Sequence, residues 1–228
     1  MKKKKRADRL QVGRKLIADS NPKSIISEQF RTIRTNIKFS IPDQQIQTIL
    51  VTSSIPGEGK TTNAANLGIV FAQEGKKVLI IDADMRKPTL HHTFEVFNIV
   101  GLSNVLAKHS SLHVTIQNSS IENLHIIPSG PIPPNPSELL SSKTLSEFID
   151  EVKKEFEIVI FDAPPLLSVT DAQILSAKCD GTLFIVNSGT VQKAEVLKAK
   201  ANLEAVRARI LGVVLNNYKL PRNNYEYY

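Results

Sequence analysis

Thr48-Ile49-Leu50-Val51-Thr52-Ser53-Ser54-Ile55-Pro56-Gly57-Glu58-Gly59-Lys60-Thr61-Thr62 runs from a β-branched strand through a glycine-containing loop into the start of a helix. That order is the layout of a phosphate-binding P-loop, G-x-x-x-x-G-K-[ST]. Gly57 and Gly59 let the backbone turn tightly enough for successive N–H groups to face one hollow, a nest for phosphate oxygens. The helix that begins near Lys60 adds its unpaired N–H groups and the positive end of its dipole. Lys60 offers a mobile charge to the β- and γ-phosphates, and the Thr61 hydroxyl is placed for Mg²⁺. Ser54 stands where the motif has its first glycine, and a small residue there can still make the turn. The plain alternative is a glycine turn ahead of a helix that happens to carry a lysine.

At 228 residues the chain can bury the core of one α/β domain, or of two small ones at most. Hydrophobic content of 41% and charged content of 22% are ordinary for a globular protein. No apolar run approaches the ~18 residues of a membrane span. The basic start, Met1-Lys2-Lys3-Lys4-Lys5-Arg6, is followed by more charge and does not read as a signal peptide. One cysteine, Cys179, excludes an internal disulfide and fits a reducing cytoplasm; we read it as a small buried residue. The five histidines show no metal-ligand spacing. A net charge of +7 is compatible with nucleic acid or an anionic membrane surface. The Lys2–Lys5 run reads first as a solvated tail, and with no aromatic residue interleaved, nucleic acid is not an expected partner.

Ser24 can cap a helix running to about Phe39, with Ile26, Phe30, Ile33 and Ile37 as its apolar stripe and Glu28, Arg31 and Arg34 on the flank. Six apolar runs follow: Ile49–Thr52, Val78–Ile81, Leu124–Ile127, Ile158–Phe161, Leu183–Val186 and Leu211–Leu215. Nearly continuous hydrophobicity in each predicts strands covered on both faces, as in a parallel sheet. Helical segments separate most of them, at Asn63–Glu74, Thr144–Glu155 and around Val196, Ala199, Leu203 and Val206. The expected fold is therefore α/β, a doubly wound, mostly parallel sheet flanked by helices. Asn135 and Glu138 read as a capping pair for a short helix. Residues 85–122 show only weak helical patterns, around Leu90–Phe97 and Leu102–Ala107. The chain divides into a basic N-terminal segment (1–20), one nucleotide-binding domain (21–220) and a tail (221–228) without hydrophobic period.

Two acidic motifs end strands, where ligands bind in an open α/β sheet. They are Val78-Leu79-Ile80-Ile81-Asp82-Ala83-Asp84-Met85-Arg86-Lys87-Pro88 and Ile158-Val159-Ile160-Phe161-Asp162-Ala163-Pro164-Pro165. A carboxylate beside a P-loop has the task of holding Mg²⁺, directly or through water; a lone one would be a cap or turn residue. Asp82 and Asp84 together exceed what metal binding needs. One can orient the ion while the other accepts a proton from the attacking group, as a tyrosine hydroxyl with a pKa near ~10 would require.

With these motifs in hand, nearly the whole chain resembles the bacterial tyrosine kinases of the capsular and exopolysaccharide type, or BY-kinases. The matching stretches are Ser54–Thr62 (Walker A), Asp82–Pro88 (the A′ motif), Ile160–Pro165 (Walker B), Pro133–Leu140 and the E-x-x-R-x-x-R run Glu28–Arg34. The resemblance implies ATP- and Mg²⁺-dependent phosphorylation of protein tyrosine. ATP would be met by Ser54, Gly57, Glu58, Gly59, Lys60, Thr61, Thr62 and Asn216, the metal by Thr61, Asp82, Asp84 and Asp162, with Lys60, Asp82 and Asp84 carrying the transfer. It implies a homo-oligomeric ring with Glu28, Arg31 and Arg34 at the subunit contact, and autophosphorylation in trans on Tyr225, Tyr227 and Tyr228. It further implies a separate membrane activator whose cytoplasmic tail recruits the kinase to the inner membrane face, other substrates phosphorylated on tyrosine, and a cognate tyrosine phosphatase.

Two plainer readings compete. Glu28, Arg31 and Arg34 can be a solvated flank, and Asn216 a turn residue. An ATPase switch of the partition or septum-positioning type would share the sheet, P-loop and aspartates, but carries an extra lysine where this chain has Ile55 and lacks a terminal tyrosine cluster.

Overall fold

The computed structural model describes residues 16–40 and 45–219; the Lys2–Lys5 run and Tyr225, Tyr227 and Tyr228 lie outside them. Val78 and Ile80 enter one core and their neighbours Leu79 and Ile81 another, so a single strand feeds both faces of its sheet. That is why the apolar runs lack alternation.

The chain begins with α1 (Ile17–Ser20) and α2 (Ile25–Phe39), then the motif strand β1 (Thr48–Ser53), α3 (Lys60–Ala72) and β2 (Val78–Asp82). Three short helices follow, α4 (Leu90–Phe94), α5 (Leu102–Leu106) and α6 (Leu112–Thr115), then β3 (Gln117–Asn118) and β4 (Leu124–Ile127). α7 (Pro136–Ser141), α8 (Lys143–Glu155), β5 (Ile158–Asp162), α9 (Asp171–Ser176), β6 (Gly181–Asn187), α10 (Lys193–Ala205) and β7 (Ile210–Asn216) complete it. The strands form one sheet in the order β3-β4-β2-β5-β1-β6-β7, parallel except for β3 against β4. The expected doubly wound fold is present. β5 lies between β1 and β2, so Asp162 emerges between the P-loop and the Asp82–Pro88 segment.

Helix α3 is buried almost all round, with Ala64, Leu67, Ile69, Val70 and Phe71 at 0–1% exposure. The sheet covers one side, α1 and α2 the other. A helix enclosed in this way needs no polar face, and it holds the P-loop rigidly. Ser24 caps α2 as expected, accepting from Ser27 N at 3.1 Å.

The end of the basic N-terminal segment packs on the domain: Ala18 is buried, its N–H donates to Asn66 Oδ1 at 2.9 Å and its carbonyl accepts from Gln73 Nε2 at 2.9 Å. Several expectations are corrected. The α2 stripe is narrower than its spacing suggests, because Ser27, Phe30 and Ile37 are buried while Ile26 is 51% exposed. β7 is an edge strand and not covered on both faces; Val213 and Leu215 are 56% and 57% exposed. The Asn135–Glu138 pair bonds side chain to side chain at 2.6 Å and leaves the backbone of α7 uncapped. Cys179 is half-buried, its thiol pushed up by burial and then by the charge of Asp180.

The P-loop strand is pinned at its start by Asp180, whose Oδ2 accepts from Gln47 N at 3.1 Å and Thr48 N at 2.8 Å. Burial alone would raise its carboxyl; the hydrogen bonds from Thr48 and Gln47 and the charge of Lys153 hold it below its ordinary range. Asp180→Ala is expected to cost about 2–4 kcal/mol of unfolding free energy at neutral pH in urea titration. The loss should shrink as pH falls through the carboxyl's depressed folded value, where the parent loses the same stabilisation. A difference of stability that is flat with pH would refute the pinning role.

Candidate active site

Gly57 and Gly59 adopt left-handed φ values of 86° and 93°, conformations that side-chain-bearing residues resist. A Cβ on Gly59 would also run into the Asn216 side chain. The tight P-loop is therefore present and braced from several directions. Asn216 Nδ2 donates to Glu58 O at 2.8 Å and Asn63 Nδ2 to Gly59 O at 2.9 Å. Asn216 is thus no ordinary turn residue; it supports the loop and lines a groove of about 500 Å³ with Asn63 and Tyr218.

The Glu58 side chain turns inward. It is 1% exposed, and its two oxygens accept from Ile55 N and Asn187 N, each at 2.9 Å. Its carboxylate fixes the loop's shape from the inside. Ser54 is fully buried, Thr61 is 3% exposed with its hydroxyl 3.5 Å from that of Thr89, and the Thr62 carbonyl accepts from Asn66.

Lys60 reaches across to Asp84, Nζ to Oδ2 at 3.1 Å. Burial alone would lower the lysine's pKa, but the charges of Asp162, Asp84 and Asp82 raise it, so it stays protonated. Asp84 also accepts from Lys87 N at 3.1 Å, closing the turn after β2. Asp82 is 0% exposed and accepts from the backbone N–H groups of Asp84, Thr89 and Leu90 at 3.2, 3.0 and 2.9 Å. Burial first, then the charge of Asp162, lifts it to about 7, against the pull of the Leu90 and Thr89 hydrogen bonds. Asp162 is its cross-strand neighbour in register and equally buried.

A cavity of about 380 Å³ opens between these elements, lined by Gly57, Lys60, Asp84, Arg86, Pro164 and Val169 among others. Asp84 is on its wall; Asp82 lies behind it. Arg86 is held by a residue with no distinguishing mark in the sequence: Nε donates to Asp171 Oδ2 at 2.9 Å and Nη2 to Oδ1 at 3.0 Å. Asp171 lies 85 positions downstream, at the start of α9, where it reads as an ordinary helix-opening acid.

The flank residues Glu28, Arg31 and Arg34 share one face of α2 but differ in state. Glu28 and Arg31 pair with each other on the surface. Arg34 leans on α3, donating from Nη1 to Val70 O at 2.5 Å with Glu74 at 3.7 Å.

A P-loop and strand-end carboxylates on a doubly wound sheet define a P-loop NTPase. Residues 46–194 match the family described as an AAA domain. The chain is 49% identical to the tyrosine-protein kinase YwqD of Bacillus subtilis (strain 168), over 99% of this chain and 95% of that one. The solved chimerical protein CapA2B2 matches with 47% identity and a TM-score of 0.87, covering 90% of each chain. The septum site-determining protein MinD of Pyrococcus horikoshii OT3, complexed with Mg-ADP, matches with 26% identity and a TM-score of 0.66, over 77% of this chain and 72% of that one. The chain belongs to the bacterial tyrosine kinases of the capsular and exopolysaccharide type, and it is a protein-tyrosine kinase. Among the described residues no helix is long and apolar enough to cross a membrane.

Because Asp82 is held near 7 from an ordinary value of 3.8, the folded state keeps a proton that the unfolded chain surrenders. Its contribution to stability is therefore full below about pH 4 and lost as pH rises to about 7. Asp82→Asn removes that loss: relative to the parent, its unfolding free energy should climb between about pH 4 and 7 and level off above. Thermal melts across this range test it, and a constant offset would show that Asp82 ionises normally.

Proposed function

We propose that the 380 Å³ cavity is where ATP donates its γ-phosphoryl group to a tyrosine hydroxyl, on the chain's own C-terminal cluster and on other proteins. The observation that carries this reading is the meeting of Lys60 and Asp84 at 3.1 Å on the wall of a cavity that the P-loop floors. The P-loop N–H groups and α3's N-terminus bind the phosphates, and Lys60 exchanges Asp84 for the phosphoryl oxygens as charge builds there. Pro164, Pro165 and Val169 give the opposite wall apolar surface for a phenol ring and exclude water from it. Of the two proton-acceptor candidates, Asp84 lines the cavity and Asp82, which holds its own proton, does not, so Asp84 takes the phenolic proton.

Mg²⁺ fits these residues. Among the described residues no three acidic or histidine side chains enclose a metal on their own. The Thr61 hydroxyl with Asp82, Asp84 and Asp162 would hold it, directly or through water, together with phosphate oxygens, since Mg²⁺ keeps several of its waters. Asp82, kept from ionising by burial and by Asp162, marks a place short of positive charge. When bound, the ion supplies charge neutralisation on the phosphates.

The kinase assembles into a ring in which Glu28 and Arg31 exchange their mutual pairing for contacts with a neighbour, each subunit presenting Tyr225, Tyr227 and Tyr228 to the next one's cavity. A membrane activator's cytoplasmic tail brings it to the inner face of the membrane, a tyrosine phosphatase resets it, and the cycle regulates capsule or exopolysaccharide synthesis. The ATPase-switch reading is weaker on two grounds: Ile55 replaces the switch lysine, and the septum-site protein is a more distant match than the kinases.

Lys60→Met should lower tyrosine phosphorylation at least about 10³-fold while leaving the thermal midpoint within a few degrees. Intact-mass measurement after incubation with Mg-ATP reads it, and near-normal phosphotyrosine in the variant would sink the site. Each phosphate adds about −1.5 to −2 charge, so three on one tail would repel Glu226 and the aspartates of the neighbouring site. Light scattering should therefore show wild type shrinking toward monomers after Mg-ATP, and a Tyr225/Tyr227/Tyr228→Phe triple variant staying assembled. Identical behaviour would remove the tail from the cycle.

A further inference from the structure

The segment after β2 and the segment after β5 form facing walls of the cavity, and the Arg86–Asp171 pair ties one to the other. The pair is lopsided. Asp171 is 0% exposed, whereas the Arg86 side chain is 38% exposed and lines the cavity with Gly57 and Lys60. Asp171 engages one edge of the guanidinium, Nε and Nη2. Nη1 and the second N–H of Nη2 make up the other edge. Among the described residues no acceptor meets Nη1.

A buried carboxylate that grips one edge of a planar cation fixes the direction of its other edge. Plain structural bracing would need no such exposure, and a solvated surface arginine would need no fully buried partner. The site also has a use for a second cation. Lys60 is surrounded by Asp162, Asp84 and Asp82, so much of its charge is already offset. Burial works against the arginine's charge less than its hydrogen bond to Asp171 supports it, keeping it fully protonated.

We propose that Arg86 is a catalytic arginine supplied by the chain itself, its outer edge meeting the transferring phosphoryl group, and that Asp171 is the positioning residue that aims it. In the transfer a bond forms between the tyrosyl oxygen and the γ-phosphorus while the bond from that phosphorus to the β,γ-bridging oxygen breaks. The electron pair of the broken bond leaves with ADP, and the phenolic proton passes to the carboxylates. Arg86 stabilises negative charge on the equatorial and bridging oxygens as it develops. This rests on the cavity being the transfer site, and it adds a residue to that site that binding of the nucleotide does not require.

The test uses the full chain, with Mg-ATP and a synthetic peptide of residues 219–228 as acceptor. Arg86→Lys and Arg86→Ala should lower kcat about 10²–10⁴-fold, with KM for Mg-ATP and affinity for a fluorescent ADP changed less than about threefold. Millimolar guanidinium should restore part of the Arg86→Ala rate, and ammonium should not. Asp171→Asn, which keeps one acceptor, should lower kcat by a smaller factor, and guanidinium should not rescue it because Arg86 still occupies the place. A kcat within threefold of wild type in Arg86→Lys would overturn the proposal. So would a parallel fall of ADP affinity and thermal midpoint without guanidinium rescue, which is the mark of a brace. Lys60→Met serves as the control: if it stays active the cavity itself is misassigned, whereas an inactive Lys60→Met beside an active Arg86→Lys rejects only the arginine.

Discussion

Carboxyl groups buried away from water are the constraint on which this structure turns. Glu58, Asp82, Asp84, Asp162 and Asp171 are each no more than 6% exposed, and they stand on the P-loop, at two strand ends, on the turn after β2 and at the start of α9. Each burial carries a large desolvation penalty that must be answered locally. Glu58 is answered by two backbone N–H groups, Asp82 by three, Asp84 by Lys60 and a turn N–H, and Asp171 by one edge of the Arg86 guanidinium. The answers are geometric commitments: they fix the P-loop, the turn after β2 and the start of α9 relative to one another. The same arrangement that relieves the carboxylates therefore preorganises a phosphate site.

The sheet makes these commitments possible. With β5 inserted between β1 and β2, Ala83 N reaches Asp162 O at 2.9 Å and Ala163 N reaches Val51 O at 3.0 Å. Farther along, Leu166 N and Leu167 N bond the carbonyls of Ser53 and Ser54 at 2.8 and 3.1 Å. Three motifs distant in sequence are thus stitched by backbone hydrogen bonds, which no side-chain substitution removes directly.

What could be read from residues alone follows from how local the causes are. The P-loop, the six parallel strands and the Ser24 cap are encoded by short patterns, and all are present. Edge position is not local: the runs at Leu183 and Leu211 look alike, yet one lies inside the sheet and the other ends it with Val213 and Leu215 in solvent. β3 is two residues long and owes its state to β4, so no periodicity could announce it. At the site, the charged residues were legible as a set but their division of labour was not. Glu58 reads as a nucleotide contact because of where it stands in the loop, whereas its carboxylate serves Ile55 and Asn187. Asp171 was invisible because its importance lies in a partner far away in the chain.

Helix α3 has a consequence of another kind. Its first residue is Lys60, and its last turn offers the Val70 carbonyl to Arg34 of α2. Thirteen residues of α-helix make a rod about 20 Å long, clamped by sheet and helices along its length and unable to bend without disturbing a close-packed core. A torque applied at the surface of α2 has one stiff shaft to act on, with the phosphate nest at its far end. The surface of α2 and the mouth of the P-loop are in this sense mechanically in series, joined by a rod instead of by any flexible loop.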